Sequence, residues 1–157
     1  MTSSPASAAQ SQGHPPAPHD VAPALFRNMV EQAGDAIIFI DCTGAVQAWN
    51  RGAQNAFGYS ADEARHLSLD VIIPENLRQA HWAGFQKAVE SGHTKHGDRV
   101  LTTKAIHKDG HTLYVDMHFC LVKDDAGQVA GALAIGRDCT ERYLAEKARR
   151  KAAQQQG

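Results

Sequence analysis

The stretch AIIFIDCTGAVQAWN, residues 36–50, decides the fold because it holds two β-forming runs separated by a turn. The first run, Ala36 to Asp41, is rich in β-branched and aromatic residues, and the second, Val46 to Asn50, alternates apolar and polar residues. Thr43-Gly44 between them is typical of a turn. The stretch therefore predicts a β-hairpin.

Helical segments are predicted on both sides of the hairpin. Upstream, apolar residues recur at helical spacing before Gly34, a suitable end for a helix: Leu25, Phe26, Met29 and Val30. Downstream, residues 50–73 favour several short helices, because their apolar residues are scattered among alanine, glycine and polar residues. A longer helix is expected between Pro74 and Gly92, since proline suits a first turn and glycine a terminus.

Three more strands are predicted after the helical middle. The first runs from Val100 to Ile106 and the third from Val129 to Arg137. Between them lies a long strand in which apolar and polar residues alternate. The long strand has one apolar face, made of Leu113, Val115, Met117, Phe119 and Leu121. The order of elements predicts an α+β fold, with a five-stranded antiparallel sheet, helices on one face, and flanking N- and C-terminal helices.

The composition fits one soluble domain. The chain has 157 residues, with 16 Lys and Arg against 17 Asp and Glu, so the net charge of −1 gives no basic excess for nucleic acid. No apolar run approaches the roughly 20 residues that span a bilayer. We expect a cytoplasmic protein without a membrane or nucleic-acid partner, and reduced thiols at three widely spaced cysteines: Cys42, Cys120 and Cys139.

Three regions are expected along the chain. Residues 1–20 are rich in proline, serine and alanine, which predicts a disordered leader. Residues 21–139 form the folded domain. Residues 140–157 are expected to form a C-terminal signalling or linker helix, because Thr140 can cap it and basic residues lie toward its end.

Several short phrases make the region from Leu25 to Tyr143 resemble a PAS domain of the S-box type. The phrases are Asp35-Ala36-Ile37-Ile38, Trp49-Asn50-Arg51-Gly52-Ala53, Phe57-Gly58-Tyr59-Ser60, His107-Lys108-Asp109-Gly110 and Gly136-Arg137-Asp138-Cys139-Thr140-Glu141-Arg142. The resemblance implies a sensory, dimerising module with an output partner such as a histidine kinase. No G-x-S-x-G, HExxH, Walker A or GxGxxG motif occurs, so we do not expect an enzyme.

His81 is the candidate ligand. A helical wheel places it on an apolar face with Leu77, Gly84, Phe85 and Ala88. A buried imidazole without a partner costs on the order of 2 kcal/mol or more, so we expect either a backbone carbonyl or a metal beside it.

The run Pro74-Glu75-Asn76-Leu77-Arg78-Gln79-Ala80-His81 resembles the segment of FixL-type oxygen sensors whose helix histidine is the proximal haem ligand. The resemblance implies that His81 binds the iron of haem and leaves the opposite side open for O₂, CO or NO. Because the sequence lacks CxxCH, the haem would be b-type and non-covalent.

The same resemblance implies the rest of the pocket. Leu77 and Phe85 share the helix face of His81, and His96 is near the position of a propionate-contacting histidine. Met117 and Phe119 match residues on the distal side, with Leu133 and Ile135 from the adjoining strand. The sequence leaves open whether the thioether of Met117 binds the iron as its sixth ligand.

One position departs from the oxygen sensors. The residue that matches their ligand-stabilising arginine is Leu101. Arg99 precedes it by two residues and would point inward if the strand slipped in register. Without such an arginine, CO, NO or a redox signal is favoured over O₂.

Two alternatives to a haem sensor follow from the sequence. A flavin adduct of the LOV type is excluded, since residues 70–79 lack the required cysteine, but flavin binding without an adduct stays open. The main alternative is a cofactor-free PAS domain that mediates dimerisation or partner binding, with Met117 and Phe119 filling the pocket. In both cases we expect a homodimer through the opening helix and the tail helix.

Overall fold

The computed structural model describes residues 22–155, and within them the elements follow the predicted order. Their bounds are α1 Pro23–Gln32, β1 Ala36–Asp41, β2 Val46–Trp49, α2 Arg51–Phe57, α3 Ala61–His66, a 3₁₀ turn Leu69–Val71, α4 Glu75–Ser91, β3 Leu101–Ile106, β4 Thr112–Lys123, β5 Val129–Asp138 and α5 Thr140–Gln155. The α+β class, the five strands and both flanking helices are confirmed. The expected leader, residues 1–20, lies outside the described residues.

The sheet has the strand order β2-β1-β5-β4-β3, and its neighbours are antiparallel. Ile38 pairs with Ala134, Met117 with Gly136, and Leu101 with Met117. Directly paired residues share a face, so one continuous face runs across all these strands. The helices pack on this face, since Ala53, Phe57 and Ala64 join Ile38 and Met117 in the core. We call it the inner face.

The short helices begin and end at residues suited to their caps. Asn50 caps α2, and its side chain accepts the N–H of Ala53 at 2.9 Å. Ser60 and Glu63 form a capping box at α3, each side chain accepting the other's main-chain N–H. Gly58 ends α2 at φ +82°, a conformation that glycine adopts without strain. These signals explain why the middle of the chain forms short helices rather than strands.

The β5 strand turns its small residues inward, contrary to part of the sequence-based expectation. Leu133 pairs with Phe39 and Cys120 on the opposite, outer face, and Ile135, which is 37% exposed, lies on that face too. A Cβ at Gly136 would stand 2.0 Å from Met117 Sδ. Because Met117 occupies that space, only a small residue fits inward. The prediction that Leu133 and Ile135 line a pocket beneath the helices is wrong.

The inward face of α4 is rotated from the predicted one. Trp82 and Phe85 pack against the core, and His81 is half-buried. Leu77 is 39% exposed, and a Cβ added at Gly84 would have no atom of the described residues within 4 Å. The placement of Leu77 and Gly84 on the inward face is therefore wrong, because Trp82 takes the contact with the core.

None of the helices among residues 22–155 is long and apolar enough to cross a membrane.

Candidate functional site

A buried nitrogen without a partner marks the candidate site. Nε2 of His81, on the second turn of α4, is buried and has no hydrogen-bond partner among the described residues. Buried polar atoms are almost always paired, and leaving one unpaired costs about 1–3 kcal/mol. The described residues leave this atom without a partner, so a ligand from outside them would have to displace the side chains that cover it.

The surroundings of His81 keep its imidazole neutral. Burial lowers its pKa, and the charge of Asp70 opposes the effect only in part. Neutral imidazole is the form that coordinates metals. The lone pair of a ring nitrogen is thus available at physiological pH.

Trp82 fixes α4 against the rest of the fold. Its indole N–H donates to Asp70 Oδ1 at 2.7 Å, and its ring approaches Gly44, where a Cβ would lie 2.9 Å away. Edge-to-face contacts join it to His81 at 5.0 Å and to Phe85 at 5.6 Å between ring centroids. Neither Trp82 nor Asp70 is among the residues predicted from the sequence, although Trp82 lies at helical spacing from Phe85.

Apolar side chains from β3 and β4 lie on the inner face of the sheet. Met117 is buried in the core, and Phe119 is half-buried against it. Leu101 lies directly opposite Met117 on the same face and is half-buried. Toward the start of β3 and the end of β4 the inner face is therefore covered less fully than at Val115, which is fully buried.

The arginine next to this region does not reach it. Arg99 lies before β3, is exposed, and donates from Nε to the carbonyl oxygen of His96 at 3.3 Å. The pairing of Leu101 with Met117 sets the register of β3 without the slip that would turn Arg99 inward. This register leaves the apolar side chain of Leu101 on the inner face. His96 is half-buried in the segment between α4 and β3.

The sheet is tied to α5 through Asp116, the outward neighbour of Met117. Its carboxylate accepts hydrogen bonds from Thr102 at 2.6 Å and from Arg142 at 2.5 Å, and these keep its pKa below the usual value. Tyr143 stacks on Tyr114 with ring centroids 3.9 Å apart. Displacements of β4 would thus reach the first turns of α5 directly.

Comparison with known proteins identifies the family. The family model for the PAS fold matches residues 24–139, most of the chain. The chain therefore belongs to the PAS family, as the sequence resemblance implied, and it is a sensory type of domain.

Three known proteins illustrate the relationship. Sensor protein FixL of Bradyrhizobium diazoefficiens is 27% identical over 118 residues, which cover 74% of this chain and 23% of FixL. The PAS domain of a protein from Colwellia psychrerythraea matches with a TM-score of 0.65 and 24% identity, covering 75% of this chain and 97% of that one. An RNA-binding Light-Oxygen-Voltage receptor matches with a TM-score of 0.69 and 19% identity, covering 98% of this chain and 42% of that one. The chain spans less than a quarter of the length of the curated relatives it matches.

Proposed function

We propose that this PAS domain is a haem-based sensor of a diatomic gas or of redox state, with His81 as the proximal ligand of a non-covalent b-type haem. The observation that carries the proposal is the buried, unpartnered Nε2 of His81. The similarity of residues 74–81 to the ligand segment of FixL-type sensors supports it. Bound haem would supply an iron with an open position for O₂, CO or NO.

Each residue of the site has a defined task in this proposal. His81 holds the iron, and Trp82, held by Asp70, sets the position of α4. Met117, Phe119 and Leu101 offer an apolar surface on the distal side. Because Leu101 cannot donate a hydrogen bond, bound O₂ would lack a stabilising donor, which favours CO, NO or a change of iron oxidation state as the signal.

The route out of the site runs through β4 to α5. Met117 faces inward, and its neighbour Asp116 holds Arg142 on the outside. A shift of Met117 on ligand binding would change the Asp116–Arg142 pair and so the direction of α5. We propose that the change reaches an output partner, such as a histidine kinase, through a homodimer.

The absorption spectrum of the purified protein after haem supplementation tests the proposal. We expect a Soret band in the wild type and in His93→Ala, a control on an exposed histidine beyond α4. In His81→Ala the band should be lost or shifted, and added imidazole should restore it by taking the place of the missing ligand. Imidazole rescue separates a lost ligand from a misfolded variant.

Two outcomes would contradict the haem proposal. One is a wild type without a Soret band in excess haem, and the other is an unchanged band in His81→Ala. Either would leave the alternative function, a cofactor-free PAS domain that mediates dimerisation or partner binding. The contact of Met117 with Gly136 favours that alternative, because there the thioether already fills the inner face.

The homodimer has its own test. Every residue of α1 is exposed, including four large apolar ones: Leu25 at 52%, Phe26 at 47%, Met29 at 58% and Val30 at 38%. Such a stripe is typical of an interaction surface. Sedimentation should therefore give a dimer for the wild type and a monomer for Met29→Glu, while Glu31→Gln on the same helix should stay dimeric. A monomeric wild type at micromolar concentration would refute the dimer.

A further inference from the structure

The tip of the hairpin between β3 and β4 carries two histidines and one aspartate, in the sequence His107-Lys108-Asp109-Gly110-His111. The main-chain N–H of His107 donates to the carbonyl oxygen of His111 at 2.9 Å. The N–H of Gly110, at φ +95°, donates to the carbonyl oxygen of His107 at 2.8 Å. This turn sets His107 and His111 opposite each other, on one face of the hairpin.

Three potential ligand atoms converge at this tip. The imidazole rings of His107 and His111 stack with centroids 4.6 Å apart and planes inclined by 22°. Asp109 Oδ1 lies 3.1 Å from His107 Nδ1 and 2.5 Å from His111 Nδ1. All three atoms lie within 4.8 Å of one another.

The neighbouring helix holds His107 in this orientation. A Cβ at Gly58, the residue that ends α2, would lie 2.6 Å from His107 Nε2, so the ring occupies the space that glycine leaves free. The opposite edge of the ring faces Asp109, whose main-chain N–H donates to Nδ1 at 3.2 Å. Nδ1 therefore accepts this hydrogen bond through its lone pair, and a bound ion would replace the N–H there. The N–H of Lys108 donates to the carbonyl oxygen of Phe57 at 2.9 Å and anchors the turn.

We propose that His107 Nδ1, His111 Nδ1 and Asp109 Oδ1 bind a Zn²⁺ ion. Two imidazoles and one carboxylate form a ligand set that zinc favours, whereas Ca²⁺ and Mg²⁺ prefer oxygen alone. Ligand atoms of a tetrahedral zinc lie roughly 3.3 Å apart and the ion lies in the plane of each imidazole, so the two stacked rings must rotate about their side-chain torsions to bind it. With the side chains of His111 and Asp109 54% and 63% exposed, water can take the fourth position.

Such an ion would join the ends of two strands and brace the hairpin against α2. The site is separate from the proposed haem site, because it lies on a different element and uses none of its residues. The two proposals therefore fail independently.

Calorimetric titration of the full chain with ZnCl₂ tests the site. We expect the wild type and the control His118→Gln to bind one Zn²⁺ ion with equal affinity. In Asp109→Asn and His111→Gln the affinity should fall at least about tenfold, since even outer-shell partners are worth that much. Asn can still accept the N–H of His111 as Asp109 does at 3.1 Å, so the turn is kept in Asp109→Asn.

A second measurement places the ion. In NMR spectra of the imidazole groups, the ring signals of His107 and His111 should move together as Zn²⁺ is added. Equal affinity in Asp109→Asn and wild type, no binding at micromolar Zn²⁺, or shifts confined to other histidines would each overturn the proposal. If Asp109→Asn keeps the Soret band of the wild type, the haem site does not depend on the zinc site, and a failure of the zinc proposal leaves the haem proposal intact.

Discussion

The side-chain amide of Asn50 donates a hydrogen bond to the main-chain carbonyl oxygen of Val30 at 3.0 Å and so ties the end of α1 to the core. The same amide nitrogen lies 3.0 Å from the carbonyl oxygen of Asp35, and Oδ1 accepts the N–H of Ile37 at 2.8 Å and of Ala53 at 2.9 Å. Asn50 is only 2% exposed. One buried side chain therefore joins the exposed opening helix, the first strand and the start of α2.

Replacing Asn50 by alanine should lower the free energy of unfolding by about 3 kcal/mol, because it removes a helix cap and leaves several buried main-chain groups without partners. Urea unfolding measures the loss. Asn55→Ala, an exposed position in the same helix, should change it by under about 0.5 kcal/mol. Equal effects at the two positions would show that the buried network contributes nothing.

Two helical glycines should respond in opposite directions to alanine. At Gly52 a Cβ would lie 2.1 Å from the carbonyl oxygen of Asp35, so backbone must move and stability should fall by roughly 1–3 kcal/mol. At Gly84 the Cβ would enter open space, and alanine should stabilise α4 by about 0.5–1 kcal/mol. Thermal and urea unfolding measure both. If Gly84→Ala destabilised the protein instead, Gly84 would face the core, as the helical wheel predicts, and not open space.

The order and type of the elements could be predicted from the sequence because local signals agree with the fold. The β-forming run at residues 36–41, the alternation in residues 46–50 and 113–121, Gly92 at a helix end and Pro74 before α4 each correspond to observed elements. The position of His81 on the inward side of α4 followed from helical periodicity. Its unpaired Nε2 could not be predicted, since it depends on every element packed around it.

The faces of β5 and α4 were predicted less well, for a physical reason. Alternation assigns the larger apolar residues to the core, but in β5 Met117 fills the inner side above Gly136, and the bulky Leu133 stands outside. In α4 the tryptophan at position 82 takes the core contact, with its N–H satisfied by Asp70. Both outcomes depend on side chains distant in sequence, which a local pattern cannot register.

The ion pair between Glu63 and Lys108 predicts a pH dependence. The ammonium of Lys108, 2.5 Å from Glu63 Oε1, together with the main-chain N–H of Ser60, lowers the pKa of Glu63 from 4.5 to about 2. Because the folded-state value lies below the unfolded one, the stabilisation is full above pH 4.5 and disappears as the pH falls to about 2. The stability difference between the wild type and Lys108→Met should therefore vanish over this interval.

Carboxyl ¹³C NMR in metal-free buffer checks the cause directly. In Lys108→Met the pKa of Glu63 should rise toward 4.5, because the largest source of its shift is gone. Lys104→Met removes an exposed lysine from β3 instead and should leave the pKa of Glu63 at about 2. If the pKa of Glu63 were the same in all three proteins, the pair with Lys108 would not be its cause.

Replacing the apolar Leu101 by arginine should strengthen O₂ binding. This prediction depends on the proposed haem site. Leu101→Arg would place a guanidinium on the inner face beside Met117. A charge-assisted hydrogen bond is worth about 1.5–3 kcal/mol, so O₂ should leave the ferrous protein roughly tenfold or more slowly, while CO, a poor acceptor, should be little affected. Stopped-flow dissociation rates measure both ligands.

The matched control is Leu133→Arg, which adds the same charge to the outer face and should change neither rate. Equal effects of the two variants would show that charge alone, and not a donor on the inner face, controls the bound gas.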